Sequence, residues 1–195
     1  MVSISQRFVG VIAMKLTIPV ALATALILGS MAHAADDAAE ASDAASISQR
    51  HLAAWQLAFA ATIDRHQVEA AVSSDDAVMR YWGAMAILRT PRDSAERAEM
   101  LPLVQPLLAD ASPAVQVVAA EIVALSPDSK VGITRLETLS QHPQEAVRVQ
   151  VLAAIERLAA HAEVLRPVLT EAQNDSSEYV KRIASRTLAK LNQQP

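Results

Sequence analysis

A ten-residue segment that occurs four times constrains this fold more than any other feature of the sequence. The copies begin at Met79, Val115, Val147 and Val180, so successive starts lie 36, 32 and 33 residues apart. Each copy has a polar, basic or aromatic residue near its start and then apolar and small residues at helical spacing. Repetition at a period of roughly 20–50 residues is typical of arrays in which neighbouring units stack on one another.

Turn-forming residues separate these copies from partner segments that also show helical periodicity. Ser112 and Pro113, just before the second copy, are residue types preferred at a helix N-cap and at the first helical position. Partner helices are predicted at 95–108, 130–139 and 161–172, and a further helix at 46–63. Because one helix pair cannot bury its own apolar stripe, the pairs are expected to stack.

The composition favours helix throughout the chain. Hydrophobic residues make up 52% of the 195 residues, yet aromatic residues make up only 3% and there are only 4 glycines. The apolar content is therefore mostly Ala, Leu, Val and Ile, of which Ala and Leu are strong helix formers. Sheet proteins use more aromatic residues. We predict an all-α fold, a short right-handed α-solenoid of helix pairs.

The N-terminus has the three parts of a secretory signal peptide. Lys15 provides a positive charge, an apolar run covers 16–28, and Ala32 and Ala34 stand at positions −3 and −1 of a cleavage site. The run is shorter than the roughly 20 residues that a membrane-spanning helix needs. We predict cleavage after Ala34 and a periplasmic or secreted product without stable membrane insertion; an uncleaved membrane anchor is the alternative.

These features together give a predicted domain organisation. Residues 1–34 are the signal peptide, 35–45 a flexible acidic leader, 46–66 an N-terminal capping helix, and 67–192 about four helix pairs. The net charge is −4 and cysteine is absent. A mildly acidic chain is a poor electrostatic match for nucleic acid. The lack of cysteine excludes disulfides and thiolate metal sites.

The repeated unit resembles a known family of helical repeats. A small or acidic turn is followed by Val, a basic or polar residue, an apolar pair, two Ala and a closing Leu. Over 67–192 this pattern is similar to short bacterial HEAT repeats, which belong to the armadillo-type helical repeats. Neither the Thr-Pro-Leu-His element of ankyrin repeats nor a tetratricopeptide signature is present. The resemblance implies a module that binds or scaffolds another protein.

A narrower resemblance concerns the order of four short stretches. They lie at 80–84, 112–115, 147–150 and 178–182 and read RYWGA, SPAV, VRVQ and EYVKR. Together they look like the helical tail attached to some bacterial sulfatases. Those enzymes carry a Cys or Ser nucleophile in a C/S-x-P-x-R motif, which this chain lacks. The resemblance implies an alternative function, a detached accessory tail that docks on, or was split from, a catalytic partner.

One position of the repeat offers a candidate partner-binding face. The second residues of the four copies are Arg80, Gln116, Arg148 and Lys181, and second helices of solenoids often line a concave surface. We predict that these residues, with Tyr81, bind another protein or peptide, because arginine can pair with a carboxylate through two hydrogen bonds. The alternative is that these side chains are solvated or bind acidic residues of nearby turns.

Further expectations concern the core and the chemistry. Trp82 is expected to pack between repeats, and Ala119 and Ala120 are expected to be buried so that helices approach closely. His142 and His161 lack the converging ligands that zinc requires. No sequence context singles out a nucleophile. We therefore predict a non-catalytic protein without a metal or a cofactor.

Overall fold

The computed structural model of the chain describes the backbone of residues 37–91, 93–127, 129–158 and 163–193, and side chains from residue 45 onwards. Across these ranges the fold is all-α, as predicted, with nine helices, one 3₁₀ segment and no strand. The predicted signal peptide and its cleavage site lie outside the described residues. None of the described helices combines the length and the apolar character needed to cross a membrane.

The chain divides into two compact units, residues 1–46 and 47–195. Of the first unit, the structure describes 37–46, the beginning of helix α1, which spans Asp37–Ala58. This helix starts nine residues before the one predicted from residue 46, so it includes most of the predicted leader. The reason is that the Ala-rich sequence of the leader favours helix. The second unit contains the rest of α1 and then α2 (Arg65–Val72), α3 (Ala77–Arg89), α4 (Ala95–Val104), the 3₁₀ segment Gln105–Ala109, α5 (Pro113–Ala124), α6 (Ser129–Leu139), α7 (Glu145–Leu158), α8 (Arg166–Ala172) and α9 (Glu178–Leu191).

Helices within 47–195 pack in the order of the chain. Those that carry the four aligned copies contact one another in sequence, α3 with α5, α5 with α7, and α7 with α9. The helix before each copy lies beside it, so α2 packs on α3, α4 on α5, and α8 on α9. Helix α6 contacts both α5 and α7, and it lies closest to α5. This order of contacts is consistent with a helical repeat fold.

The same turn precedes all four aligned helices. Each helix has its N-cap three residues before the start of the aligned segment, and Ser112 is the N-cap predicted from the sequence. The backbone N–H of each N-cap donates to the side chain two residues earlier, an arrangement that Asp and Ser commonly form. The four acceptors are Ser74 Oγ at 3.1 Å, Asp110 Oδ1 at 2.7 Å, His142 Nδ1 at 3.2 Å and Asp175 Oδ1 at 2.8 Å.

Helix α5 lies between the two hydrophobic clusters of the second unit. Val115 and all residues of 117–124 are buried. One set of these side chains packs with the elements before α5, and the other set packs with α6 to α9. A helix that is apolar on all sides is stable where neighbours cover each side. Trp82 packs half-buried against the earlier cluster, as expected, with its ring centroid 6.2 Å from that of Phe59.

Small residues set how closely the helices approach. The predicted burial of Ala119 and Ala120 is confirmed, since both are fully buried. A methyl group added at Gly132 of α6 would overlap the backbone nitrogen of Ala124 and the carbonyl oxygen of Ala120. Glycine is therefore required at this crossing, because α6 lies directly against the backbone of α5.

Besides α1, which spans Asp37–Ala58 and not the predicted 46–63, two predicted helices differ from the structure by several residues at one end. The helix predicted at 95–108 ends at Val104 and continues as the 3₁₀ segment, because Pro106 has no N–H to donate to the preceding turn. The helix predicted at 161–172 is α8, which begins at Arg166, and 159–162 lie outside the described residues.

Candidate interaction surfaces

Arg80 and Arg148, which the sequence placed on a partner-binding face, each bind an aspartate in the next repeat. Arg80 donates from Nε and Nη2 to the two carboxylate oxygens of Asp110, at 2.6 and 2.9 Å. Arg148 binds Asp175 in the same way, at 2.7 and 2.8 Å. All four side chains are largely buried, with exposed fractions from 6% to 15%. We call these pairs the arginine–aspartate clasps.

Each clasp arginine also binds the turn before its own helix. Arg80 Nη1 donates to the carbonyl oxygens of Ser74 and Asp75, at 2.9 and 2.8 Å. Arg148 Nη1 donates to the two carbonyls at the equivalent positions of its own turn, at 2.9 and 3.0 Å. One guanidinium thus joins two successive turns. Full hydrogen bonding of this kind is what offsets the desolvation of a buried charge.

The clasps change the ionisation of their aspartates. Arg148 lowers the pKa of the Asp175 carboxyl, and its effect exceeds the opposing effect of burial. At Asp110 burial raises the pKa, but hydrogen bonds from Arg80 and from the Ser112 backbone outweigh it, so the pKa is again lowered. Both carboxylates are therefore ionised at neutral pH.

Gln116 occupies the same repeat position and makes different contacts. Its Nε2 donates to the carbonyl oxygen of Asp110, and its Oε1 accepts from Nη2 of Arg135 at 2.7 Å. The residue aligned with the clasp aspartates Asp110 and Asp175 is here His142. The junction between the second and third repeats therefore has no arginine–aspartate clasp.

Lys181 and Tyr81 complete the predicted face. Lys181 donates to Glu178 at 2.6 Å within α9, an exposed pair between neighbouring turns. Tyr81 is half-buried against Trp82, with ring centroids 5.1 Å apart, and burial raises the pKa of its hydroxyl. Arg80 and Gln116 thus share Asp110 as a partner, whereas Arg148, Lys181 and Tyr81 lie in separate sets of contacts. A role of the five residues in partner binding stays a prediction.

An ion pair with a buried carboxylate, which the sequence analysis missed, joins α5 to α7. Glu121 is only 1% exposed, and its carboxylate accepts from Nε and Nη2 of Arg157 at 2.7 and 2.6 Å. Tyr81 of α3 lies close enough for both charges to act on the pKa of its hydroxyl, which Arg157 lowers and Glu121 raises. The signal in the sequence was the single charged residue in 113–124, because an unpaired carboxylate is too costly to bury in an apolar helix.

Glu156, next to Arg157 on α7, forms a second ion-pair cluster between helices. It binds Arg186 at 3.0 Å and also Lys190, both on α9. The hydrogen bond from Lys190 is the main cause that lowers the pKa of Glu156. More than half of each basic side chain is exposed. Exposed pairs contribute little to stability, so this cluster is mainly a charged surface feature.

An open groove of about 300 Å³ lies between α6 and the end of the 3₁₀ segment. Leu108 and Ala109 of the 3₁₀ segment form one wall. The α6 residues that line the other wall share one helix face, at spacings of three, four and seven; they are Val131, Thr134, Arg135 and Thr138. Val131 is 51% exposed, so the groove presents apolar surface to solvent beside a cation.

The described residues include no group of three His, Cys, Asp or Glu side chains placed to hold a metal ion. His142 lies in the turn before α7, where its ring nitrogen accepts from the backbone of Gln144. His161, the other histidine considered from the sequence, lies outside the described residues.

Comparison with known proteins does not place the chain in a family. No protein-family model, no curated protein and no solved structure matches it. Its function must therefore be inferred from its own residues and contacts.

Proposed function

We propose that this chain is an exported, non-catalytic HEAT-type α-solenoid that binds another protein or peptide as a scaffold. The observation that carries the proposal is one turn geometry at four points of the chain, with the same arginine–aspartate clasp at two of them. Solenoids are built from a structural unit that recurs with the same hydrogen bonds and packs against its neighbours in chain order. Solenoids commonly present an extended surface to a partner.

The charge of the chain supports a protein partner over a nucleic acid. The net charge is −4, whereas a protein that binds phosphates by counterion release needs a basic stripe. The exposed cations Arg186 and Lys190 both bind Glu156, which offsets part of their charge. Export is proposed from the N-terminal sequence, in which a positive residue, an apolar run and Ala-x-Ala follow in order.

Photo-crosslinking in the source organism tests the proposal. A photoreactive amino acid is placed at exposed positions of the full chain, Val131 in one variant and Arg186 in another. A surface that binds a protein should give an adduct of defined mass after illumination. The control is the same chain with Gly132→Leu, which disrupts the crossing of α6 on α5 and should abolish the adduct.

The mass of the adduct also decides between the two functions. A sulfatase in the adduct would favour the accessory-tail alternative derived from the sequence resemblance. The absence of any defined adduct from exposed positions across α3 to α9 would contradict a binding function. Hydrolysis of aryl sulfates by the purified chain alone would contradict a non-catalytic one.

A further inference from the structure

Arg135 differs from the arginines that bind carboxylates in how its charge is matched. Arg80, Arg148 and Arg157 each bind one carboxylate through Nε and Nη2. Arg135 instead donates from Nη2 to the neutral Oε1 of Gln116, and its Nε is buried without a hydrogen-bond partner. Within the described residues Arg135 makes no ion pair.

The repeat pattern shows that the middle junction also lacks the carboxylate of a clasp, so none is supplied there to a neighbouring guanidinium. At the other two junctions an aspartate stands two residues before the N-cap, and at this junction that position holds His142. The arginine of the clasp is likewise replaced by Gln116. Nη1 of Arg135 makes no hydrogen bond in the described part of the chain and, unlike Nε, is not buried. It is therefore open to an acceptor from outside.

The groove beside Arg135 indicates what kind of acceptor fits. Its α6 wall runs from Val131 to Thr138, a rise of about 10 Å along the helix axis. Arg135 lies near the middle of this wall, so a segment lying along the groove continues in both directions past the guanidinium. An internal acidic side chain meets that geometry, whereas a chain terminus would leave half of the apolar wall uncovered.

We propose that this groove binds a segment of another protein in which an acidic side chain, flanked by apolar residues, accepts hydrogen bonds from Arg135. The inference rests on the proposed binding function and names the chemistry of the partner. A guanidinium matches the planar carboxylate through paired hydrogen bonds. The apolar flanks cover Val131 and Leu108 and exclude water from that ion pair, which strengthens it.

A titration followed by nuclear magnetic resonance tests this groove directly. The probe is the peptide acetyl-Ala-Leu-Glu-Leu-Ala-amide, added to the ¹⁵N-labelled full chain. We expect saturable shifts of the backbone amide signals of 131–138 and 108–109. The matched peptide with Gln in place of Glu should bind at least tenfold more weakly, and so should the Glu peptide to an Arg135→Gln chain.

Arg135→Gln also removes the donor to Gln116, so a second variant separates binding from folding. Val131→Asp places an acid in the exposed first turn of α6, where the helix dipole favours it. Its carboxylate lies four residues before Arg135 and can accept hydrogen bonds from the guanidinium. It then competes with the carboxylate of the peptide. The Glu peptide should lose at least tenfold in affinity while circular dichroism is unchanged. Arg182→Gln on α9, the control, should retain full affinity.

Three results would overturn the inference. They are equal affinity for the Glu and Gln peptides, undiminished affinity in Val131→Asp, and equal affinity for acetyl-Ala-Leu-Gln-Leu with a free terminal carboxylate. A partner that is crosslinked through position 186 and is retained when the chain also carries Val131→Asp would contradict binding in this groove and leave the proposed function standing. Failure of the chain to crosslink any partner would remove the proposed function, and the peptide titration would still decide the groove.

Discussion

The outer junctions of the repeat array are fastened differently from the middle one. Between the first and second repeats, and between the third and fourth, a buried arginine–aspartate clasp ties one turn to the next. Between the second and third repeats the turn position holds Gln116, and the charged contact is Glu121 with Arg157, further along the same two helices. Gln150 adds a hydrogen bond from Nε2 to the carbonyl oxygen of Ala114, at 3.2 Å.

This difference shows that the repeated turn and the polar contacts that join successive repeats are separate features. The turn survives at all four points because Ser, Asp and His side chains can all accept the N-cap hydrogen bond. The clasp needs both partners, and removal of one leaves the other charged and poorly solvated. The middle junction therefore depends more on close packing, above all at Gly132.

Gly132→Ala tests that dependence and should have the largest effect. In an unconstrained helix this change stabilises by up to about 1 kcal/mol. Here the new methyl group would overlap the backbone of α5, so we expect a loss of about 3 kcal/mol. The melting temperature, followed by circular dichroism, should fall by about 10 °C. Lys130→Ala at the exposed neighbouring position should change stability by less than about 0.5 kcal/mol. A more stable Gly132→Ala chain would show that this crossing does not hold the junction.

Arg157→Met tests the polar part of the middle junction. It leaves the carboxylate of Glu121 buried without its partner, and we expect a loss of about 2 kcal/mol. This is less than for a fully buried pair, because half of Arg157 is exposed and water can enter beside it. Adding Glu121→Met should restore most of the stability in urea denaturation. A double variant no better than Arg157→Met would mean that the two side chains do not act as a pair.

Asp110→Asn and Asp175→Asn, each made singly, test the outer junctions through pH. The folded pKa of both carboxyls is lowered, so their stabilisation is fully present above the ordinary aspartate value of about 3.9 and is lost as the pH falls through the lowered folded value. At pH 7 we expect a loss of about 1.5 kcal/mol per clasp. Urea denaturation at several pH values should show this difference shrink towards pH 2. A pH-independent difference would contradict a charge-based clasp.

Much of the fold could be predicted from the sequence, because the four copies and their capping residues specify helices locally. The second residues of the copies all stand four residues after the N-caps of their helices. Their contacts were not predictable, because Arg80 and Arg148 bind aspartates 30 and 27 residues away, and helical spacing says nothing about pairs across a turn. Gln116 was expected on a partner-binding face, yet it is half-buried between two polar partners. The exposed groove beside Arg135 was not predictable either, because it depends on the close packing of α6 on α5. Gly132 is the residue that permits this packing.

The smallest effect is expected from building a clasp where none exists. Gln116→Arg alone removes the acceptor of Arg135 and brings two guanidinium groups together, so it should destabilise slightly. His142→Asp alone should be nearly neutral, because an aspartate already accepts the N-cap hydrogen bond at two equivalent turns. Together they should recover more stability than the sum of the single changes, with a coupling of about 1 kcal/mol in a double-mutant cycle of urea denaturation. The net gain should stay below that, since Arg135 still lacks its acceptor. Zero coupling would mean that the two turns of the middle junction lie too far apart for a clasp. The lack of a clasp there would then follow from backbone geometry and not from the choice of side chains.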